Sequence, residues 1–212
     1  MLLISSCEIP YDGEKRHVVN VRVLNSDGNP ITNQYVEVNS HNSRGWFDSY
    51  SNLDLITYGK TNNQGELTLI FPSSDTTFNV NFGNYYDNNV IYLRTSLDNL
   101  RLDNFDNFKI DLNPIILYKL EELTTLTIDL VHSAPQTILR NIKVEGYTSY
   151  DPFYFNPIPI EESYYPQTEF KIVKNKNFVL TYIVKDLNTS IESTYTVSLT
   201  VANDPISYTI NY

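Results

Sequence analysis

The sequence predicts an all-β protein, built as two immunoglobulin-like β-sandwich domains in tandem, and three observations lead to that class. Apolar and polar residues alternate along short segments in both halves of the chain, the pattern of half-buried strands. Turn residues interrupt these segments at intervals of about ten residues, the spacing typical of sandwiches. Residues that favour strands are abundant, with 17 Tyr and 10 Phe among 212 residues.

The first half opens with a predicted strand over His17–Asn25, in which Val19, Val21 and Val23 share one face. Further strands of this half are predicted over Tyr35–Asn39, Leu55–Lys60, Leu67–Phe71, Phe78–Phe82, Val90–Leu93 and Phe108–Leu117. We expect Pro72 to end the strand before it, because proline cannot donate a hydrogen bond to the ladder.

A polar stretch from Asp98 to Asp111 precedes the last of these strands. The one helical pattern of the chain, around Leu97–Phe108, falls here, and its asparagines favour a loop or one short turn. Clustered carboxylates can bind calcium, and the candidates are Asp98, Asp103, Asp106 and Asp111. Their spacing differs from that of an EF-hand loop, so we interpret the stretch as a solvated acidic loop without a metal.

The second half follows a short charged connection at Lys119–Glu122. This connection predicts a tail over residues 1–16, a first domain over residues 17–118 and a second over residues 119–212. Strands of the second domain are predicted over Leu126–Leu130, Ile138–Val144, Phe170–Ile172, Phe178–Val184, Tyr195–Val201 and Ile206–Tyr212. Six of the seven glycines precede the connection, so the two halves are not close copies.

Two segments of the first half, VNVRVLNSDGNPITNQYVEV and YGKTNNQGELTLIFP, carry a family resemblance. They resemble the carboxypeptidase regulatory-like, transthyretin-type sandwich domains over about residues 17–83. The matching residues are Gly28, Pro30, Ile31, Thr61, Asn62, Gly65, Leu67, Leu69 and Pro72. The resemblance implies a sandwich fold and says little about function, because such domains are additions to many secreted and envelope proteins. The second half resembles a generic immunoglobulin-like module.

A related family, the pilin-type sandwich with a Lys–Asn isopeptide bond, needs a lysine on its first strand. The predicted first strand carries Arg22 and no lysine. We therefore expect no isopeptide bond of that type.

The segment Ile4–Cys7 resembles a bacterial lipobox, whose cysteine receives lipid after cleavage. It predicts a lipid anchor at Cys7 and a place at the bacterial outer membrane, exposed to the cell surface. The acidic flank that contains Glu8, Asp12 and Glu14 resembles surface-export signals of Gram-negative lipoproteins. The apolar run before Cys7 is short for a signal peptide, which a start codon further upstream would explain. The alternative is a free thiol in a frayed tail.

Charge and motif content exclude several classes of function. The formal net charge of -10 would repel nucleic-acid phosphates and disfavours an anionic membrane surface. No Gly-x-Ser-x-Gly, metal-spaced His or Cys pair, or glycine-rich phosphate loop occurs, and His17, His41 and His132 are isolated. We expect no enzyme activity and no cofactor.

Two aromatic loops are the predicted binding sites. The first holds Trp46, Phe47 and Tyr50. The second runs from Tyr147 to Tyr165 and holds Tyr147, Tyr150, Phe153, Tyr154, Phe155, Tyr164 and Tyr165. Rings in loops offer contact area at low entropic cost to sugars or proteins, and prolines stiffen the second loop. The alternative is that these rings pack the domain junction or cap one end of a sandwich.

Two functions fit these observations. The first is a lipid-anchored accessory or scaffold subunit that binds a partner protein of the envelope. The alternative is a carbohydrate-binding surface module. A planar strip of exposed aromatic rings with Asn or Asp nearby would favour sugar, and a broad apolar patch would favour a protein partner.

Overall fold

The computed structural model describes residues 11–42, 52–74, 76–83, 91–146, 153–154 and 168–212. These residues form an all-β structure with two single-turn 3₁₀ segments at Leu102–Asn104 and Leu120–Glu122. Within these ranges, no helix has the length and apolar character that a membrane crossing needs.

Fourteen strands lie within the described residues. The first seven are β1 (Tyr11–Asn25), β2 (Tyr35–Asn42), β3 (Asn52–Lys60), β4 (Glu66–Ser74), β5 (Thr77–Phe82), β6 (Thr95–Leu100) and β7 (Lys109–Leu117). The remaining seven are β8 (Leu123–Val131), β9 (Thr137–Gly146), β10 (Phe153–Tyr154), β11 (Glu169–Val173), β12 (Asn177–Asp186), β13 (Glu192–Thr200) and β14 (Ile206–Asn211).

The described strands divide into two compact units. Unit 1 contains β1–β7 and β10, and unit 2 contains β8, β9 and β11–β14. Residues 91–93 also belong to unit 2, where Leu93 N–H donates to the Tyr118 carbonyl at 2.9 Å. The predicted domain ranges, residues 17–118 and 119–212, stay a prediction.

Unit 1 consists of a three-stranded sheet in the order β4-β1-β7 and a five-stranded sheet in the order β10-β6-β5-β2-β3. β1 pairs antiparallel with β4 and parallel with β7. Alternate residues of both sheets are buried, as period-2 patterning predicts; they include Val19, Val21, Val23, Val36, Val38, Leu69, Phe71, Phe78, Val80 and Phe82.

The turn before β4 requires its glycine. Gly65 has φ +75°, and its N–H donates to the Asn62 carbonyl at 3.0 Å. A Cβ at this position would collide with the carbonyl oxygen of Val23. Only glycine can therefore occupy position 65 of this turn without strain.

Unit 2 consists of two three-stranded sheets in the orders β11-β8-β14 and β13-β12-β9. β14 pairs parallel with β8, and the other pairings of the unit are antiparallel. Its core is made of Leu126, Ile128, Ile142, Val144, Phe170, Ile172, Phe178, Leu180, Val201 and Ile210. All the strands predicted for the second half are present.

The expected end of β4 at Pro72 is wrong, because β4 continues to Ser74. Pro72 is tolerated because β4 is at the edge of its sheet, where one side of the strand needs no ladder hydrogen bonds. It lies opposite Arg16, where the register of β1 shifts.

The loop predicted over Asp98–Asp111 is also partly wrong. Its first residues, 98–100, belong to the strand β6 (Thr95–Leu100). The strand predicted over Val90–Leu93 is absent from residues 91–93, where Tyr92 makes only an isolated bridge to Lys119, and residue 90 lies outside the described residues. The short turn expected nearby is present at Leu102–Asn104.

The first strand is longer than predicted. It begins at Tyr11, so it does carry a lysine, Lys15. The side chain of Lys15 is exposed, and its Nζ lies 5.9 Å from the centre of the Phe108 ring. The premise that this strand lacks lysine is therefore wrong.

Candidate functional site

Most of the residues predicted to bind a ligand lie outside the described ranges. These are Trp46, Phe47, Tyr50, Tyr147, Tyr150, Phe155, Tyr164 and Tyr165, and Cys7 also lies outside. Phe153 and Tyr154 form β10, whose backbone pairs in parallel with Leu97 and Asp98 of β6. This part of the aromatic segment is thus an edge strand of the five-stranded sheet.

The outer side of that sheet carries a polar surface. Val36 and Val38 of β2 point into the core. Side chains alternate along a strand, so Tyr35 and Glu37 point outward. The sheet register continues this outward row across the neighbouring strands. Glu37 lies opposite Tyr58 of β3 on one side and Asn81 of β5 on the other, and Asn81 lies opposite Ser96 of β6.

We call this surface the polar face. Its members are Tyr35, Glu37, Asn39, Tyr58, Asn79, Asn81, Ser96 and Asp98. Asn39 and Asn79 are buried, Tyr58 is exposed, and the other five are half-buried. They come from four neighbouring strands and alternate with the buried residues of the core. These side chains therefore come together only when β3, β2, β5 and β6 pair in this register.

Glu37 is the centre of the polar face. Its Oε1 accepts hydrogen bonds from Asn39 Nδ2 at 3.0 Å and from Asn81 Nδ2 at 3.4 Å. Two amide donors on adjacent strands therefore hold one carboxylate in a set orientation. Burial, and next a hydrogen bond to Glu37, raises the pKa of Tyr35 to about 12. Tyr35 thus keeps its proton at neutral pH.

Two tyrosine rings stack at the end of this row. The ring centres of Tyr35 and Tyr58 are 5.7 Å apart, with an angle of 29° between the ring planes. Tyr58 is 62% exposed. A flat aromatic surface therefore faces solvent beside the fixed carboxylate of Glu37.

The far end of the polar face has its own hydrogen bonds. Ser96 Oγ donates to Asp98 Oδ2 at 3.2 Å, and the Asn99 N–H donates to Asn79 Oδ1 at 3.1 Å. Asn99 has φ +61° at the point where the pairing of β5 with β6 shifts register. This bulge turns Asp98 and Asn99 towards the polar side of the sheet.

Asp111 and Asp106, from the same acidic stretch, have separate partners. Asp111 Oδ1 accepts from Asn20 Nδ2 at 2.7 Å and lies 3.3 Å from Lys109 Nζ. The Asn20 hydrogen bond lowers the pKa of Asp111, and Lys109 adds to this effect. Asp106 Oδ1 accepts from Asn107 Nδ2 at 3.2 Å. Across the described ranges, no three His, Cys, Asp or Glu side chains group as metal ligands would.

His17 is a fully buried polar residue in unit 1. Its ring lies 4.3 to 5.8 Å, centre to centre, from four phenylalanine rings, those of Phe71, Phe78, Phe105 and Phe108. Neither ring nitrogen has a hydrogen-bond partner of normal geometry in the described structure. Burial lowers the pKa of His17, against a smaller opposite effect of the Phe108 backbone. The described contacts of His17 are therefore those of a core residue.

The other two histidines are placed differently. His132 belongs to unit 2, where its ring stacks on Tyr212 at 5.0 Å and its Nε2 lies 3.0 Å from the Thr137 carbonyl oxygen. His41 lies in β2. His17 belongs to unit 1 and His132 to unit 2, so neither unit contains a site built from both.

Unit 2 carries a second stacked tyrosine pair. The rings of Tyr182 and Tyr195 are 5.0 Å apart with an interplanar angle of 14°. Tyr182 packs against the core of the unit, and Tyr195 is 46% exposed. Burial, followed by the neighbouring Tyr208, raises the pKa of Tyr182. Among the described contacts, no carboxylate held by amide groups lies beside this pair, so its surroundings differ from those of Tyr35 and Tyr58.

Comparison with known proteins returns similar folds without a family. No protein-family model matches the chain, and no curated protein sequence matches it. A mutant of the shaft pilin SpaA from Lactobacillus rhamnosus GG is 12% identical, with 92% of this chain and 98% of that one covered and a TM-score of 0.33. The streptococcal ancillary pilin is 12% identical, with 94% and 62% covered and a TM-score of 0.33.

A catalytic protein also appears among the similar structures. The 3-chlorocatechol 1,2-dioxygenase from Rhodococcus opacus 1CP is 10% identical, with 53% of this chain covered and a TM-score of 0.34. The match spans 64% of the dioxygenase chain, which is less than two thirds of its length. Likeness at this identity concerns the fold alone.

The polar face was not predicted from the sequence. Tyr35, Glu37 and Tyr58 lie on two strands, and no motif joins them in sequence. The available signal was the outward side of a predicted strand: an aromatic and an acidic residue alternate with Val36 and Val38.

Proposed function

We propose that this chain is a non-catalytic binding protein of the bacterial cell surface, and that the polar face of unit 1 binds a glycan. The observation that carries the proposal is the exposed ring of Tyr58, stacked on Tyr35 beside the amide-held carboxylate of Glu37. A strip of exposed rings with Asn or Asp nearby was the sign expected for sugar binding, and the polar face offers one exposed ring with Asn39 and Asn81 nearby.

The chemistry of a sugar suits this arrangement. A pyranose has an apolar face of C–H groups, which an exposed aromatic ring covers, and an edge of hydroxyls, which both donate and accept hydrogen bonds. Tyr58 supplies the ring. Glu37 supplies an acceptor of set orientation, and the half-buried amide of Asn81 lies beside it.

The extent of the polar face favours an oligosaccharide. The row Tyr58, Glu37, Asn81 and Ser96 crosses four adjacent strands. Strands are about 4.8 Å apart, so the row extends roughly 14 Å. Successive sugar units can therefore contact successive strands, with affinity distributed over several weak contacts.

The lipobox-like segment at Ile4–Cys7 supports a place on the membrane surface. In native material we expect Cys7 to be the first residue and to carry lipid, and Cys7→Ala to release the protein from membranes. Mass spectrometry of the N-terminal peptide is the direct measurement. An unmodified residue before Cys7 in native protein would reject the anchor without affecting the glycan proposal.

A second candidate is an accessory or scaffold subunit that binds an envelope protein through the aromatic segment 147–165. The pairing of Phe153–Tyr154 with β6 favours it, because a partner at that segment would also lie at the edge of the five-stranded sheet. Crosslinking in native membranes, followed by mass spectrometry, distinguishes the two: a crosslinked protein at 147–165 supports the scaffold role.

The glycan proposal is tested with a glycan microarray, followed by titration calorimetry with the best-binding oligosaccharide. Tyr58→Ala should weaken binding at least about tenfold, because it removes the stacking surface. The thermal midpoint should change little, since Tyr58 is exposed. Tyr195→Ala is the matched control, because it removes another exposed tyrosine stacked on a half-buried one.

Three outcomes would reject the glycan proposal. The array shows no binding to any glycan, Tyr58→Ala binds like the wild type, or Tyr195→Ala loses as much affinity as Tyr58→Ala.

A further inference from the structure

The strand β13 is an edge strand of its sheet in unit 2. Within the described part of the chain, β12 is its one pairing partner, over a continuous antiparallel register from Asn177 to Lys185 without a bulge. β13 is nine residues long, and every side chain from Glu192 to Thr196 is exposed. The side of β13 away from β12 therefore presents a straight row of backbone N–H and C=O groups.

Five other edge strands among the described residues carry features that oppose pairing with a further strand. Proline, charged residues and bulges are the usual ones. The residues of this kind at the sheet edges are Pro72 in β4, Pro114 in β7, Asp54 and Lys60 in β3, Glu169 and Lys171 in β11, and Arg140 and Lys143 in β9. β9 also has a register shift against β12. β14 lacks such residues but is only six residues long.

β13 has almost none of this protection. Its sequence ESTYTVSLT contains no proline and no lysine, and its one charged residue is Glu192. The Oε1 of Glu192 lies 3.7 Å from the Nε of Arg140, so its charge is compensated within unit 2. The edge is therefore close to neutral and rich in β-branched and aromatic residues that favour strand pairing.

The core-facing row of β13 also leaves apolar surface uncovered. Tyr195 lies opposite Tyr182 in the register but is 46% exposed, and Val197 and Leu199 are only half-buried. A strand added beside β13 would cover these side chains as well as the backbone groups.

We propose that β13 pairs antiparallel with β13 of a second copy of this chain, about a two-fold axis at Thr196. This inference concerns unit 2 and does not depend on the glycan site. The strand is self-complementary in this register: Glu192 lies opposite Thr200 of the other copy, Thr194 opposite Ser198, and Tyr195 opposite Val197. No like charges meet, and a β-branched or aromatic residue stands in most of the cross-strand pairs.

The net charge sets the conditions under which the dimer forms. Each copy carries a formal charge of -10, so two copies repel each other at long range. Salt screens this repulsion and leaves the backbone hydrogen bonds intact. Association should therefore strengthen as ionic strength rises, the opposite of an interface held by ion pairs.

Sedimentation velocity of the full chain tests the proposal. The wild type should shift from monomer to dimer as protein concentration rises, and at lower concentration when sodium chloride is added. Thr196→Lys and Thr196→Glu should each raise the dissociation constant at least about tenfold, because each places two like charges opposite each other at the two-fold axis. An equal mixture of the two variants should restore dimers, because lysine then faces glutamate.

Thr127→Lys is the matched control. Thr127 is exposed on β8, the central strand of the other sheet, and the change in net charge is the same. It should dimerise like the wild type. Circular dichroism of all three variants should match that of the wild type, since each change is at an exposed position.

Self-pairing is overturned if the wild type stays monomeric at every concentration and salt level. It is also overturned if Thr196→Lys dimerises normally, if Thr127→Lys weakens the dimer equally, or if the mixture of Lys and Glu variants stays monomeric. A monomeric chain that loses an envelope partner only in Thr196→Lys would assign the edge to that partner instead.

Discussion

Each unit carries two tyrosines stacked across neighbouring strands, and the two pairs differ in what surrounds them. Tyr35 and Tyr58 stand on the outer side of the five-stranded sheet, beside a carboxylate that two asparagines hold. Tyr182 packs on the core of unit 2, with Tyr195 beside it. The same ring-on-ring contact therefore closes a core in one unit and forms part of a polar surface in the other.

Whether a ring points into the core or away from it therefore decides the role of the stacked pair, more than the stacking contact does. Burial raises the pKa of both half-buried tyrosines. The second-largest cause of the raised pKa is Glu37 for Tyr35 and Tyr208 for Tyr182. An aromatic pair marks a candidate binding surface when its neighbours are oriented polar groups, and a packing contact when they are apolar.

The largest expected difference between the pairs is in stability. Tyr182→Ala should destabilise unit 2 by about 2 kcal/mol, because it removes a half-buried ring that packs against the core. Tyr35→Ala should cost unit 1 about 1 kcal/mol, mostly a hydrogen bond and partial burial. Native-state hydrogen exchange measures each unit separately, which a single thermal midpoint of a two-unit chain does not. Equal losses in both units would contradict the distinction between the pairs.

A smaller difference should arise from acid, through the buried His17 of unit 1. The pKa of His17 is lowered from 6.5 in the folded state, so the unfolded chain binds a proton first as the pH falls. The stability of unit 1 is therefore fully present above pH 6.5, falls as the pH drops below it, and levels off below the folded-state pKa. One such proton accounts for about 1 kcal/mol at most over the first pH unit below the unfolded pKa.

His17→Leu should remove this acid dependence from unit 1, because it removes the group that titrates. Hydrogen exchange of unit 1 at a series of pH values, corrected for intrinsic exchange rates, is the measurement. An unchanged pH profile in the variant would show that another group causes the acid sensitivity.

The smallest expected effect concerns the ionisation of the two half-buried tyrosines. Glu37→Gln should bring the pKa of Tyr35 down from about 12, because it removes the carboxylate that adds to burial, and should leave Tyr182 unaffected. The raised pKa stabilises unit 1 below pH 10.0, and that contribution is lost as the pH rises towards about 12. NMR of isotope-labelled tyrosine rings resolves the two titrations. A shift of Tyr182, or none of Tyr35, would contradict the assigned cause.

Period-2 alternation was sufficient to predict most of the strands. Val19, Val21 and Val23, like Phe78, Val80 and Phe82, are buried as predicted, because an inward row must be apolar wherever two sheets pack. It failed at β6, where Leu97 and Leu100 are both buried although they are three residues apart. A bulge at Asn99 supplies the extra residue, so the spacing resembles a helix.

The candidate site was harder to predict than the fold. Glu37 and Asn81 are far apart in sequence and come together only through the register of β2 with β5. The parallel pairing of β1 with β7 is equally invisible in local patterns, since alternation shows which side of a strand is buried but not which strand lies beside it. Most of the aromatic residues predicted to form binding loops lie outside the described residues.

The place of β10 in unit 1 affects how the chain is made. β6 gains this neighbour only after β8 and β9, which belong to unit 2, have been synthesised. The ribosome therefore releases strands of unit 2 before the five-stranded sheet has its last member, and simple folding of one unit after the other cannot complete unit 1. A shortened gene that ends after β7 would encode a sheet with β6 exposed at its border, and strand borders of that kind promote aggregation.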